Sequence, residues 1–368
     1  MSIGTAAGSQ ARVSVISAVL PDPGGIAPCR VLDALGSGLV ELGVDLDVTS
    51  WASRVRSDLP LPCWCRHAPL PSEARLPMKV KALVRPRGDV LRLGWEPRDG
   101  AFAVADDIES WHAVEAAKTA ASRVATLHYL PTIDAAAIGR GLGTLQWWRS
   151  ERRIASNADR VIAYSRRVGD GVETPTRPST FVPIAYRPPT EAIEAVAEPV
   201  VGLIANWAWA PNRAALATLL KAWPTVRAKV PTARLRIAGR GEISVGTLPG
   251  LEVVGEVADS AEFLSTLAVQ AFPCPDTSGP KIKSLESLAL GLPLVTTVAG
   301  AEGLDVEPSS MWLAPYEPRA FGEAVAAALT DSEGRAERAA HGRLQVVAGH
   351  APLPAARAWL RAVTGADR

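Results

Sequence analysis

Ser278-Gly279-Pro280-Lys281-Ile282-Lys283-Ser284-Leu285-Glu286-Ser287-Leu288-Ala289-Leu290-Gly291-Leu292-Pro293-Leu294-Val295 holds the densest information in the chain. It predicts a helix over Pro280 to Leu290 and a buried strand over Leu292 to Thr297. Pro280 suits the first helical position, where its missing N–H is no loss. Gly279 lets backbone approach a ligand closely. Free N–H groups and the positive end of the helix dipole make an anion site of that N-terminus. Lys281 and Lys283 add full charges to it. Glu286, three residues after Lys283, shares its face, and Ile282, Leu285, Leu288 and Ala289 form the apolar face. A Lys-x-x-Glu pair of this kind also serves as an ordinary solvated pair on many helices.

Working outward, strands alternate with helices. Arg12 to Leu20 is a β-rich run ending at Pro21-Asp22-Pro23-Gly24-Gly25, followed by a helical pattern from Ile26 to Leu42 and a strand from Val44 to Thr49. Ser53 to Gly100 is rich in Pro and Arg and reads as irregular. Beyond it come a strand over Ala101 to Ala105, a helix over Ile108 to Ala121, a strand over Arg123 to Leu127 ending at His128, a helix over Gly141 to Asn157 and a strand over Arg160 to Ala163. The proline-rich Thr174 to Thr190 reads as an inter-domain crossing. The second half repeats the alternation with strands at Val200, Arg234, Leu251, Val269, Leu294 and Met311. Its helices run over Asn212 to Lys229, Ser260 to Leu267, Pro280 to Leu290, Pro318 to Thr330 and Ser332 to Val347. Alternation of this kind implies parallel sheets covered on both faces. It predicts an α/β protein with two doubly wound domains, ligands lying beyond the carboxyl ends of the strands and in the cleft between the domains.

The opening segment resembles the donor-site signature of glycosyltransferases with the GT-B fold, family 4 in particular. Those often read Gly-x-Lys-x-Lys-x-Leu-Glu-Ala-x-Ala-x-Gly-x-Pro-Val-Val, then a Gly-x-Glu-Gly turn. Gly279, Lys281, Lys283, Leu285, Glu286, Ala289, Gly291, Pro293 and Val295 match, and Gly300-Ala301-Glu302-Gly303 matches the turn. Asn157 to Ser165 and Pro231 to Gly241 resemble further family segments. The resemblance spans roughly residues 11–365 and implies Rossmann-like domains over 1–188 (acceptor) and 189–350 (donor), with a terminal helix over 351–368 crossing back to the first domain.

It also implies roles. Lys281 and Lys283 would neutralise the donor pyrophosphate, and Glu286 would bind the ribose. Gly24-Gly25 would approach the diphosphate from the first domain, although the pair is also an ordinary tight turn and lacks the third glycine of a dinucleotide fingerprint. Asn206, Asn212, Arg240, Glu256, Val257, Ser278 and Gly279 complete the donor set. His128 would lie near the transferred sugar and the acceptor, with Asp106 and Asp107 orienting the acceptor. Asp106, Asp107 and Glu109 also suit helix capping, at least one of them in that role. The tandem Trp147-Trp148 beside Arg149, Arg152 and Arg153 reads as helix packing with a solvated basic face. Two departures leave the donor sugar open: Ser278 stands where many members carry a glutamate, and Asn206 to Asn212 replaces a Gly-Arg-x-x-x-x-Lys-Gly segment.

Composition narrows the classes. The chain has 368 residues, 48% of them hydrophobic, enough for two cores. A formal net charge of +1 argues against a nucleic-acid or anionic-membrane partner. No apolar run is long enough to span a bilayer. Cys29, Cys63, Cys65 and Cys274 have no zinc-site spacing and suit a reducing cytoplasm. The bias to Ala, Arg, Pro and Trp fits a bacterial GC-rich genome. The resemblance implies a retaining, metal-independent transfer of a sugar from a nucleoside diphosphate to an acceptor, expected here to be small and soluble, with no cofactor. Its rivals are a non-catalytic partner that binds a nucleotide or stabilises a complex, and a pseudo-glycosyltransferase that couples a cyclitol.

Overall fold

The computed structural model describes residues 11–52, 60–69, 90–137, 144–194, 196–243 and 245–366. The N-terminal decapeptide, much of the irregular stretch after Ser53, and Gly141 to Gly143 of the expected helix lie outside the described residues. Contacts divide the chain into two compact units. The first holds Met1–His128, Leu145–Tyr186 and Pro352–Arg368, and the second holds Tyr129–Thr144 and Arg187–Ala351. The expected boundary near 188 assigns 129–144 to the first domain. Contacts group its described residues, 129–137 and 144, with the second unit, where Asp134 and the Leu130 N–H bond Ser278.

The first unit is built on a seven-stranded parallel sheet. Its strands are β1 (Arg12–Ser17), β2 (Asp45–Ser50), β3 (Cys65–His67), β4 (Phe102–Ala105), β5 (Ser122–Leu127), β6 (Arg160–Ala163) and β7 (Ser179–Phe181), in the order β3-β2-β1-β4-β5-β6-β7. Near-continuous apolar runs such as Ala103-Val104-Ala105, fully buried, mark the central strands, which are covered on both faces, while the edge strands β3 and β7 are partly exposed. Helix α1 (Ala27–Glu41) crosses from β1 to β2 and carries a proline in its first turn. Gly38 of α1 sits so close to the terminal helix that a Cβ there would meet the Pro352 carbonyl oxygen at 2.2 Å.

Two expectations are corrected in this unit. The helix expected over Ile108 to Ala121 is α2 (Trp111–Ala116) and stops at Ala117, which turns extended. The following N–H groups of Lys118 and Thr119 go instead to the Glu96 carboxylate. The expected crossing at Thr174 to Thr190 contains the edge strand β7, paired to β6 between flanking prolines that end its ladder.

The second unit repeats the pattern with six parallel strands: β8 (Val200–Ile204), β9 (Arg234–Ala238), β10 (Leu251–Gly255), β11 (Val269–Phe272), β12 (Leu294–Thr296) and β13 (Trp312–Leu313). The order is β10-β9-β8-β11-β12-β13. Among its helices are α6 (Ala210–Lys229), α7 (Ser260–Leu264) and α8 (Ile282–Leu290); α3 (Pro131–Ala137), α4 (Thr144–Asn157) and α5 (Arg166–Asp170) precede them in the chain. Its core joins Leu203, Leu219, Trp223, Leu235, Val269 and Phe321. In both units the strand order reverses beside the first strand, between β1 and β4 and between β8 and β11. Loops diverge there at the carboxyl ends of the strands, which is where open α/β sheets bind ligands.

Candidate active site

In the second unit the loop after β11 leads into α8. The helix starts at Ile282 rather than at Pro280, because Lys281 is extended (φ −104°, ψ 94°) and forms the N-cap. The Lys281 ammonium is turned back onto its own loop, donating to the carbonyls of Thr277 (3.3 Å), Ser278 (2.9 Å) and Gly279. Gly279, at φ 79°, gives its N–H to Glu302 Oε1 at 2.8 Å, so the Gly-x-Glu-Gly turn braces the helix entry. Helix α8 is buried from Ser284 to Leu290 and ends at Gly291 in the left-handed conformation.

Lys283 and Glu286 are not a solvated pair. Lys283 Nζ donates to Asn212 Oδ1 at 3.0 Å and lies 4.6 Å from the centre of the Phe272 ring. Burial, reinforced by the Lys281 charge, lowers its pKa to about 8, against opposing help from Cys274 and Glu286. Glu286 is held by Ser260, whose hydroxyl donates to Oε1 at 2.7 Å. The Asn212 amide in turn donates to the Asn206 carbonyl at 2.8 Å. Asn206, Asn212 and Lys283 thus join the end of β8, the start of α6 and the start of α8 at the switch point. A cationic site beside a helix N-terminus, with an oriented carboxylate one turn on, can hold a diphosphate and a diol.

The loop before α8 is fixed from another direction. Asp134 of α3 accepts at Oδ1 from Ser278 N (2.8 Å) and Ser278 Oγ (2.9 Å), while Ser278 Oγ accepts from Leu130 N at 2.9 Å. Nothing in the sequence singles out Asp134. It lies 144 positions from Ser278, and an acid in the first turn of a helix carries no mark of a distant partner.

In the first unit the polar residues cluster at the carboxyl ends of β1, β4 and β5. Asp106 accepts from Ser17 Oγ at 2.9 Å and pairs with His128 Nε2 at 3.2 Å. His128 stacks edge-on against Tyr164, with centroids 4.8 Å apart. Burial alone would lower the histidine's pKa. The Asp106 carboxylate, through charge and hydrogen bond and with Asp107 behind it, outweighs that and raises it. Asp107 accepts from Ala18 N (2.8 Å) and Ser110 N (2.6 Å), so it caps the turn before α2. Burial and the Asp106 charge raise its pKa. Burial, then Asp107, lift Glu109 to about 7.

Residues 198–331 match the family model of glycosyl transferases group 1. No curated protein matches the chain in sequence. Among solved structures, sucrose-phosphate synthase from Thermosynechococcus elongatus is similar with a TM-score of 0.73 and 16% identity, over 97% of this chain and 100% of that one. HepE from Anabaena, in complex with UDP and glucose, gives 0.66 and 12% over 95% and 99%. TarM from S. aureus gives 0.58 and 12% over 72% of this chain, which spans about half of TarM's length (55%). The fold is GT-B.

On this GT-B frame the remaining candidates find their places. Gly24 and Gly25 follow β1 as a turn on Asp22: Gly24 N donates to Asp22 Oδ1 at 2.9 Å, and a Cβ on Gly25 would meet Cys29 Cβ at 2.9 Å. Arg240 and Glu256, both exposed, form an ion pair with each other at 2.8 Å. Val257 packs against the small apolar cluster around Phe263 and Leu290. Trp148 is exposed, with the Arg152 guanidinium 5.6 Å from its ring centre. One cavity lined by Leu91, His112, Glu115, Ala116 and Arg153, and another beside Gly291 and Pro293, include none of the candidate donor or acceptor residues.

Proposed function

We propose that this GT-B protein transfers a sugar from a nucleoside diphosphate donor to a small acceptor hydroxyl or amine, with retention of configuration. One observation carries the reading: a lysine ammonium set at the N-terminal turn of α8 and bonded to Asn212, with the Glu286–Ser260 pair one turn further along the helix. Lys283 and the helix N-terminus would stabilise charge that develops on the departing diphosphate, and Lys281, its donors given to the loop carbonyls, would add only its positive field. That supply of positive charge is the reason for proposing a reaction without a metal. Glu286, oriented by Ser260, would accept from the ribose diol. His128, whose pKa the Asp106 carboxylate raises, would serve the acceptor. HepE, which shares the fold, is found in complex with UDP and glucose, and this makes UDP the first nucleotide to try.

No described helix is long and apolar enough to cross a membrane. All four cysteines are free thiols, which supports placing the protein in the cytoplasm. The test is thermal unfolding against UDP, GDP and ADP, followed by product analysis with the matching nucleotide sugar. A nucleotide at 100 times its Kd adds ~2.7 kcal/mol to stability. A shift with one nucleotide that disappears in Glu286→Ala, and a product of retained configuration, are expected. Well-folded protein that responds to no nucleotide would overturn the reading in favour of a non-catalytic partner.

A further inference from the structure

We propose that Asp134 is the residue that binds a hydroxyl of the transferred sugar, with Ser278 positioning its carboxylate; the proposal rests on the donor-site reading above. The Ser278 side chain is already committed. Its hydroxyl accepts from Leu130 N at 2.9 Å and donates to Asp134 Oδ1 at 2.9 Å, with the Leu130 carbonyl a second acceptor at 3.3 Å. Ser278 is 6% exposed. It holds another group in place and has little left to offer a ligand.

Asp134 is the group it holds. Oδ1 takes both bonds from Ser278, and no described residue bonds Oδ2. A carboxylate accepts about four hydrogen bonds. At 9% exposed, Asp134 presents only a small part of its carboxylate, and Oδ2 is the oxygen that a ligand donor can reach. A sugar hydroxyl is such a donor.

Its place in the site gives the direction. Ser278 stands at the carboxyl end of β11, just before Gly279 and the start of α8. Reading along the chain, the site offers a carboxylate at Asp134–Ser278, then cationic groups at Lys281 and Lys283, then a second carboxylate at Glu286. Acceptors of hydroxyl protons thus flank an anion-binding centre. A nucleotide sugar has the complementary order: sugar hydroxyls, diphosphate, ribose diol. Lys281 and Glu302 tie down the same loop, so the Asp134 carboxylate is presented by a fixed backbone.

The variant that tests this is Asp134→Asn. The amide oxygen can keep both bonds to Ser278, so a residue that only clips α3 to the loop would be little affected. The second oxygen becomes an NH2 donor, so an acceptor role for sugar hydroxyls is lost. Binding to the full chain is measured by calorimetry, using the best of UDP, GDP and ADP and the glucose conjugate of the same nucleotide, together with kcat and KM for donor turnover. The expected result is an unchanged Kd for the nucleoside diphosphate, within about 2-fold. Affinity for the conjugate and kcat/KM should fall ~10- to 100-fold, the usual range for a lost bond to a charged group. Equal losses for the nucleotide and its conjugate, or no loss for either, would overturn the proposal. If wild-type protein binds no nucleotide, the donor-site reading falls first and this inference with it. Should Asp134→Asn fail to fold, Asp134→Glu with the same comparison takes its place: its displaced carboxylate must lower affinity for the conjugate selectively.

Discussion

The buried charge of Lys283 should make the protein less stable than it needs to be at neutral pH. Its ammonium titrates at about 8, against 10.5 for an ordinary lysine. Below pH 8 the folded chain keeps a proton it holds poorly. Between pH 8 and 10.5 the unfolded chain binds that proton and the folded chain does not, so stability rises with pH. Above 10.5 the burden is gone. The pKa difference corresponds to a ceiling of about 3 kcal/mol. The side chain keeps part of its surface exposed, and Lys283→Met forfeits the Asn212 bond, worth ~1 kcal/mol. Methionine fills similar volume and keeps a favourable contact with the Phe272 ring. Lys283→Met is therefore expected to gain ~1–2 kcal/mol at pH 7, and to lose that gain by pH 10.5. Urea unfolding of both proteins at several pH values measures it. Titrating groups away from Lys283 cancel in the difference, while Cys274, Lys281 and Glu286, which interact with its charge, do not. The same variant should bind the nucleoside diphosphate ~100-fold more weakly, since a charge aimed at an anion is gone. A variant less stable than wild type at pH 7, or a difference that is flat with pH, would refute the argument.

Asp106→Asn should lower the His128 pKa, because the carboxylate is what holds it up against burial. The pair's contribution to stability is fully present below pH 6.5 and is lost as pH rises through the folded pKa. An NMR titration of the imidazole reads this directly, and an unmoved pKa would contradict the assigned cause. Gly239 has φ 124°, and a Cβ there would meet the Ala205 carbonyl oxygen at 1.8 Å. Gly239→Ala should therefore cost ~3 kcal/mol or more in urea unfolding, with a loss under 1 kcal/mol counting against the geometry. Leu285→Ala, on the fully buried face of α8, should cost ~2–5 kcal/mol in the same measurement.

Much of the frame was legible because it rests on local signals. The alternation of short apolar runs with helical patterns marked the strands of both sheets, and Gly291 marked the end of α8. What the sequence could not show is which distant groups meet. Ser17 and Asp106 are 89 positions apart, Asn212 and Lys283 are 71, and Asp134 and Ser278 are 144. No periodicity encodes such pairs. They arise where the strand order reverses and loops from separate strands are brought to one edge. The start of α8 was misplaced for a related reason. Pro280 is a good first helical residue by propensity, but the tie of Lys281 to the carbonyls before it, and of Gly279 to Glu302, holds the helix back two residues, to Ile282. The strand β7 escaped notice because its prolines hide a segment with a ladder of three residues.

The ties around the loop from Thr277 to Lys281 also explain how a short helix can bear a buried cation. Ser278 is held by Asp134, Gly279 by Glu302, and the three carbonyls by Lys281. Helix α8 is then buried from Ser284 to Leu290, which anchors the backbone that carries the half-buried Lys283 ammonium against Asn212. A flexible loop would let that charge escape and would remove its cost. Here the cost is retained, and with it a positive group whose position does not change when an anion arrives. Donors already in place spend no free energy on reorganisation as negative charge develops. Stability lost at Lys283 and strength of anion binding are, on this argument, two readings of the same rigidity. Variants that loosen the loop should therefore relieve the first and weaken the second together.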